Sequence, residues 1–203
     1  MSNVAIIDYG MGNIRSVMNA LSEIGASSEL VADPSKISKF DRVILPGVGA
    51  FAQAIARLRE SEMIDALNSF VATGKPLLGI CLGMQLMCST SSEDGEHQGL
   101  DWIKAKVVRF PNMQGLKIPH MGWNGLRCAA GEALFEGLEN GGDVYFVHSY
   151  YVDCADKKDE IATTEHGVSF ASIFRRGNIF GMQFHPEKSQ QIGLNLLSNF
   201  LKS

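Results

Sequence analysis

The sequence predicts one α/β domain over residues 1–203, with a mainly parallel central sheet, helices on both faces of the sheet and an antiparallel extension. In the first two-fifths of the chain, short apolar runs alternate with amphipathic stretches at helical spacing. In the second half, strand patterns follow one another with Gly and Asn between them. Short strands buried on both faces that alternate with helices are typical of a parallel sheet covered on two sides.

The first half of the chain supplies the parallel strands and most of the helices. Three apolar strands are predicted at residues 4–7, 42–45 and 77–80. Helical spacing predicts three helices, at residues 14–24, at 51–71 and from 82 through Cys88. The second half is predicted to hold strands at residues 103–110, 144–152, 161–164, 168–174 and 179–184, and a final helix at 192–201.

The bulk composition indicates an ordinary globular protein with an acidic balance. Of its 203 residues 45% are hydrophobic, and the formal net charge of -4 speaks against a nucleic-acid binder. The N-terminal segment lacks the basic and apolar regions of a signal peptide, so we expect a cytoplasmic protein. The four cysteines form no CxxC pair and no cluster with ligand spacing, so we expect reduced thiols, no metal and no cofactor.

One cysteine stands at the junction of a predicted strand and helix. Residues 79–83 read Gly-Ile-Cys-Leu-Gly, the pattern of a nucleophile elbow, with Cys81 at its centre. A thiol at a helix N-terminus is activated because free N–H groups and the helix dipole favour its anion. The alternative is a buried cysteine in a glycine-rich turn. That structural interpretation is the better one for Cys88, Cys128 and Cys154.

A thiol nucleophile needs a base, and the base needs an orienting group. Only His185 follows an apolar strand directly and has a carboxylate, Glu187, two residues on. Pro186 favours an extended His185, and in an extended segment the two side chains would project to the same side. The alternative is a surface pair beside a turn proline. His120 and His148 are interpreted as structural.

The two motifs together resemble the class I (triad) glutamine amidotransferases. Residues 79–85 match the Gly-x-Cys-x-Gly-x-Gln pattern, and residues 185–187 match the late His-Pro-Glu, so the resemblance covers nearly the whole chain. It implies a flavodoxin-like fold in which Cys81 attacks the side-chain amide of glutamine and releases ammonia through a glutamyl thioester. Segments 9–14, 46–51, 119–124 and 148–150 narrow the resemblance to glutaminase subunits that work with a (β/α)8-barrel cyclase in histidine biosynthesis.

The resemblance also implies roles for individual residues. The oxyanion hole would be formed by the backbone of Val48, Gly49 and Leu82. The glutamine substrate would be held by Gly47, Gln85, Glu93, Ser149 and Tyr150. The cyclase partner would be faced by Asn13, Met121, Trp123, Tyr145 and Lys188. Among these, Glu93 could instead be a solvated acid, and Met121 and Trp123 could be core residues.

Three other interpretations stay open at this stage. The chain could be the amidotransferase subunit of another synthase, for anthranilate, aminodeoxychorismate or pyridoxal phosphate, although segments 9–14 and 119–124 speak against this. It could be a cysteine peptidase or a stress-response chaperone on a similar fold, which Gln85 and the His-Pro-Glu spacing disfavour. It could also be a regulatory binding module with a relic site. Because the glutaminase motifs take up nearly the whole chain, we expect the acceptor chemistry in a separate chain.

Overall fold

The computed structural model describes residues 3–138 and 141–203. The first half of the chain alternates strands and helices. In chain order these elements are β1 Asn3–Ile7, α1 Ile14–Glu23, β2 Ser27–Val31, β3 Arg42–Gly47, α2 Phe51–Glu60, α3 Met63–Ala72, β4 Leu77–Cys81 and α4 Leu82–Leu86. The alternation of short apolar strands with helices is the one that the sequence predicts.

The second half is dominated by strands and ends in a helix. Its elements are β5 Cys88–Ser91, β6 His97–Gln98, β7 Ile103–Arg109, β8 His120–Cys128, β9 Gly142–His148, β10 Tyr150–Cys154, β11 Glu160–His166, β12 Val168–Arg176, β13 Ile179–Met182 and α5 Gln190–Phe200. Short 3₁₀ turns connect some of them. No helix in the described parts of the chain is long and apolar enough to cross a bilayer.

The strands form one continuous sheet that changes character partway across. Its main path runs β2-β1-β3-β4-β13-β12-β10-β7-β5-β6. Along this path, the neighbouring strands β2-β1-β3-β4-β13 are all parallel to one another. The next strand, β12, pairs antiparallel with β13. A branch of β11, β8 and β9 leaves the sheet at β12. The predicted fold class, a mainly parallel sheet with an antiparallel extension, is therefore confirmed.

Helices cover both faces of the parallel part. Along β1, Ala5 and Ile7 belong to one apolar cluster and Val4 and Ile6 to the other, because successive side chains of a strand point to opposite faces. The first cluster contains the buried residues of α2 and α3. The second contains the buried apolar side chains of α1 and α5. This two-sided burial accounts for the continuous apolar runs of the strands.

Two predicted elements are each two elements in the structure. The helix predicted at 51–71 ends at Glu60 and starts again at Met63, because Glu62 adopts a left-handed conformation with φ 57°. The strand predicted at 144–152 is interrupted at Ser149, which separates β9 from β10. Periodicity misses such breaks because the apolar pattern continues across them.

The helix after the elbow is shorter than predicted, and four strands were not predicted. Helix α4 ends at Leu86, and Cys88 begins β5. The N–H groups of Leu100 and Trp102 bond the carbonyls of Leu86 and Met87, which a longer helix would need. Cys88 is nevertheless fully buried, so its structural interpretation holds. The missed strands are β2, which is largely polar, β8, which carries two glycines, and the short strands β5 and β6.

Candidate active site

Cys81 occupies a sharp turn between a strand and a helix. It is the last residue of β4, with φ 55° and ψ -112°, a conformation that is costly for a residue with a side chain. The glycines around it allow the close packing that holds this turn. A Cβ on Gly83 would overlap the carbonyl oxygen of Leu45, and one on Gly79 would lie 2.7 Å from the Gly83 carbonyl. The predicted elbow is thus present, with its glycines at the contacts between helix and strands.

His185 and Glu187 form a buried pair beside the cysteine. His185 Nδ1 lies 2.8 Å from Glu187 Oε1, and both side chains are almost completely buried. Burial lowers the pKa of His185, but hydrogen bonds to Cys81 and Glu187, together with their negative charges, outweigh it and raise the pKa to about 9. The imidazole is therefore placed to carry a positive charge between a thiolate and a carboxylate.

A turn, and not the extended segment that the sequence predicted, brings the side chains of His185 and Glu187 together. His185 is extended, with φ -97° and ψ 96°, but Pro186–Lys188 is a 3₁₀ turn. The carboxylate of Glu187 is held from the other side by Asn13, whose Nδ2 donates to the same Oε1 at 3.1 Å. The tight turn brings the carboxylate back to the Nδ1 edge of the ring.

A cleft of about 370 Å³ opens over the sulfur of Cys81. The predicted site residues that line it are Val48, Gly49, Cys81, Leu82, Gln85, Glu93, Ser149, Tyr150 and His185. Gly47 lies behind the cleft, where a Cβ would be 2.7 Å from the backbone nitrogen of Gly83. Glu93 is half-buried, and its Oε2 accepts a hydrogen bond of 2.7 Å from the Phe51 N–H at the start of α2. It is therefore not a freely solvated acid.

Comparisons with known proteins decide the family. A family model described as glutamine amidotransferase class-I matches residues 5–203. The chain is 50% identical to the imidazole glycerol phosphate synthase subunit HisH of Sulfurimonas denitrificans over 202 residues, 98% of this chain and 97% of that relative. It is also 50% identical to the HisH subunit of Moorella thermoacetica over 200 residues, 98% of this chain and 94% of that one. The chain belongs to the class I glutamine amidotransferases, in the HisH group.

Solved structures share the fold of this amidotransferase. The structure of PurLQS from Thermotoga maritima matches with a TM-score of 0.77 at 18% identity, over 100% of this chain and 99% of that one. A glutamine amidotransferase from the same organism matches with a TM-score of 0.65 at 17% identity, over 99% of this chain and 83% of that one. Family membership favours the amidotransferase interpretation over a peptidase or a chaperone.

Four of the residues predicted to face a partner lie on a surface patch of the amidotransferase. We define the β8–β9 patch as Met121, Trp123, Tyr145 and Lys188. Met121 and Trp123 are 62% and 48% exposed, so they are not core residues. The Trp123 and Tyr145 rings pack edge to face at 6.0 Å, and Lys188 Nζ lies 6.0 Å from the Tyr145 ring centre. The fifth predicted residue, Asn13, is half-buried and donates to Glu187, and its contact with a partner stays a prediction.

Two polar side chains near the cleft, those of Tyr9 and Gln183, were not predicted as site residues. Tyr9 is buried beneath the end of β3, where its hydroxyl donates to the Pro46 carbonyl at 2.9 Å. Burial and the nearby Cys81 raise the Tyr9 pKa. Gln183 is fully buried beside Cys81, two residues before His185. A buried polar residue at the end of an apolar strand was the one available signal for Gln183.

Proposed function

We propose that this chain hydrolyses glutamine to glutamate and ammonia, with Cys81 as nucleophile, His185 as general acid and base and Glu187 as the group that orients His185. The observation that carries this proposal is the position of His185. One ring nitrogen lies 2.8 Å from Glu187, and the ring lines the same cleft as Cys81, which helps to raise the pKa of His185. Nucleophilic catalysis requires a nucleophile, a base beside it and a group that orients the base, and Cys81, His185 and Glu187 stand in that order.

The geometry supports a two-stage reaction. The Cys81 thiolate attacks the amide carbon of glutamine, and negative charge develops on the carbonyl oxygen as the tetrahedral intermediate forms. His185 gives its proton to the departing nitrogen, ammonia leaves, and a glutamyl thioester remains on Cys81. His185 then takes a proton from water, which attacks the thioester and frees glutamate. Glu187 stabilises the imidazolium at both stages because it accepts from Nδ1.

The oxyanion would be stabilised by backbone N–H groups on two sides of the cleft. Leu82 begins α4 directly after the nucleophile, so its N–H is one donor. The backbone of Val48 and Gly49, which follows β3 at the rim of the cleft, would supply the other. Gly49 has φ 97°, a conformation that glycine adopts freely.

The rest of the cleft fits the two ends of a glutamine molecule. Gln85, Glu93, Ser149 and Tyr150 all line the cleft. Glu93 offers a carboxylate for the α-amino group, because a carboxylate accepts hydrogen bonds from an ammonium. The Ser149–Tyr150 segment lies where its backbone and hydroxyl groups can meet the remaining polar atoms of the ligand.

The second part of the proposal concerns a partner. We infer that the ammonia passes to a (β/α)8-barrel cyclase subunit, and that the pair makes imidazole glycerol phosphate and an aminoimidazole carboxamide ribotide. Relatives that are 50% identical over the full length are named as subunits of imidazole glycerol phosphate synthase. The β8–β9 patch supports docking, because exposed aromatic and Met side chains are enriched in interfaces.

A reconstitution experiment tests the catalytic assignment. In the complex with the cyclase, Cys81→Ala should abolish glutamine-dependent synthesis and leave synthesis from added ammonia intact. Cys128→Ala, at a half-buried cysteine away from the cleft, is the matched control and should retain both activities. Glutamine-dependent synthesis that survives Cys81→Ala would falsify the catalytic proposal.

The docking assignment has its own test. Trp123→Ala should weaken cyclase binding by about thirtyfold, the loss expected for a central interface tryptophan, while glutamine hydrolysis by the isolated chain stays as it was. Leu30→Ala is the control, since Leu30 is 42% exposed on the edge strand β2. We also expect the cyclase with its nucleotide ligand to raise glutaminase turnover greatly. Equal binding by both variants would contradict the assignment of the patch.

A further inference from the structure

Gln183 places an amide next to the proposed nucleophile. It follows β13, and its fully buried side chain puts Nε2 3.9 Å from the Sγ of Cys81. Sulfur is larger than oxygen, so a hydrogen bond to a thiolate is longer than one to a carboxylate. The Gln183 backbone N–H is bonded to the carbonyl of Ser172 at 2.9 Å, which ties this residue to β12. The amide is therefore held at the sulfur by the sheet.

The orientation of this amide follows from its neighbours. Gln85 Nε2 lies 3.0 Å from the carbonyl oxygen of Tyr150, which can only accept, so the NH₂ group of Gln85 must face it. The same NH₂ group lies 3.0 Å from Gln183 Oε1 and donates its second hydrogen there. The oxygen of Gln183 consequently faces Gln85, and its NH₂ group faces Cys81.

Two histidines extend this network away from the cleft. His148 Nδ1 lies 2.8 Å from the same Tyr150 carbonyl, so it carries the proton, and Nε2 of the neutral ring is an acceptor. His120 Nδ1 donates to that acceptor at 3.0 Å, and His120 Nε2 accepts from Asn124 at 3.1 Å. Burial lowers the pKa of His148 to about 3 and that of His120 to about 4, so both rings stay neutral near pH 7. The neutral His148 ring thus holds the Tyr150 carbonyl in place by a hydrogen bond.

We propose that Gln183 is a further catalytic residue, whose Nε2–H donates to the sulfur of Cys81 and stabilises its thiolate, while Gln85 and the Tyr150 carbonyl hold the amide in the donating orientation. This proposal rests on the function proposed above for Cys81. It assigns to Gln183 the stabilisation of the resting anion, which is separate from proton transfer by His185. Hydrogen bonds to ionised groups are stronger than neutral ones, so the donor favours the thiolate over the thiol.

Other titratable groups also face the sulfur and must be kept constant in a test. His185 lines the same cleft and Tyr9 lies beneath the end of β3, and each interacts electrostatically with Cys81. Glu93 lines the same cleft. None of these is changed when Gln183 alone is replaced, so a shift in thiol reactivity reports the amide.

The test measures alkylation of Cys81 by iodoacetamide as a function of pH in the full chain. The other thiols interfere little, because burial raises the pKa of Cys128 to about 11 and that of Cys154 to about 12, and raises that of Cys88 strongly. A Cys81→Ser variant supplies the background rate.

Gln183→Met keeps the length of the side chain and removes the donor. We expect its alkylation midpoint to rise by about one pH unit, the effect of one charge-assisted hydrogen bond. Glutaminase kcat at neutral pH should fall by about tenfold and KM should change by less than about twofold. Gln53→Met, at an exposed position of α2, is the matched control and should behave like the unchanged protein.

A second measurement needs no substitution at Gln183 and so covers a variant that fails to fold. The side-chain ¹⁵N–¹H resonances of Gln183 in the unchanged chain should shift as Cys81 titrates, and they should stay constant over the same pH range in Cys81→Ser. Resonances that ignore the titration, or a folded Gln183→Met with an unchanged midpoint, would overturn the role of Gln183. Glutamine hydrolysis that persists in Cys81→Ser would instead contradict the proposed function itself.

Discussion

The carbonyl oxygen of Tyr145 accepts a hydrogen bond from the backbone N–H of His185 at 3.0 Å. Tyr145 belongs to the β8–β9 patch, and His185 is the proposed base. A second link runs through Ser189, whose Oγ donates to the His185 carbonyl at 2.7 Å and accepts from the Tyr145 N–H at 3.0 Å. β9 at the surface is therefore tied by hydrogen bonds to the backbone of the proposed base.

Replacing Ser189 should loosen this connection. Ser189→Ala leaves the Tyr145 N–H and the His185 carbonyl without their shared partner, in a position that is only 1% exposed. We expect the free energy of unfolding to fall by about 1–3 kcal/mol. We also expect kcat for glutamine hydrolysis to fall by roughly tenfold, because the base is held less firmly in its reactive position. Urea denaturation and steady-state assays measure the two effects.

A matched control separates the lost hydrogen bonds from the lost hydroxyl. Ser198→Ala changes a half-buried serine in α5 and should leave both quantities nearly unchanged. If Ser189→Ala and Ser198→Ala behave alike, the link between Tyr145 and His185 has no bearing on catalysis.

The charge of Glu187 should govern the pH profile of the reaction. Glu187→Gln retains an oxygen acceptor for His185 Nδ1 but removes the negative charge that helps to raise the pKa of His185 to about 9. The pKa of His185 should therefore fall, and the alkaline limb of glutaminase activity should move to lower pH. We expect kcat to drop by about 10²–10⁴-fold. Rates measured from pH 6 to pH 10 test this, with the exposed Glu136→Gln as control.

Stability should be greatest near pH 6.5–7 and should fall on either side. The pKa of His185 is raised to about 9 in the folded chain, so its contribution is full below the unfolded value of about 6.5 and is lost as pH rises towards 9. The pKa values of His148 and His120 are lowered to about 3 and about 4. Unfolding therefore takes up protons below about pH 6.5. The contribution of His148 and His120 to stability is lost as the pH falls below that value.

Urea denaturation at pH 5, 6.5 and 8 checks both limbs. Each histidine changes the free energy of unfolding by at most about 1.4 kcal/mol per pH unit. His148→Gln should flatten the acid limb alone, and Glu187→Gln should flatten the alkaline limb alone. A flat profile between pH 5 and pH 8 would show that the buried histidines are not linked to folding.

The packing of the elbow makes a prediction about glycine. Gly83→Ala places a Cβ against the carbonyl of Leu45, where neither backbone can move without disturbing β3 and α4. We expect a loss of several kcal/mol in stability, of the size seen for overpacking of a core. Gly125→Ala is the control, because its nearest neighbour would be the Asp143 carboxylate at 3.5 Å, an ordinary contact. Comparable unfolding midpoints for the two variants would disprove the close approach.

Local patterns were enough to predict much of this protein. The apolar runs before Pro46 and Cys81 predicted parallel strands, and the Gly-x-Cys-x-Gly pattern predicted the elbow, because both depend on neighbours in the chain. Pattern and periodicity did not predict the break at Glu62 or the early end of α4. Those ends depend on a left-handed residue and on carbonyls taken by a distant loop.

The sequence by itself determined which groups are proposed to react and most of the strands and helices around them. Only the tertiary structure decided which distant side chains meet at the sulfur. Gln183 and Gln85 are 98 residues apart, Asn13 and Glu187 are 174 apart, and no periodicity relates them. The physical reason is that such contacts depend on strand order, register and side-chain direction, which follow from the packing of the whole sheet and its helices.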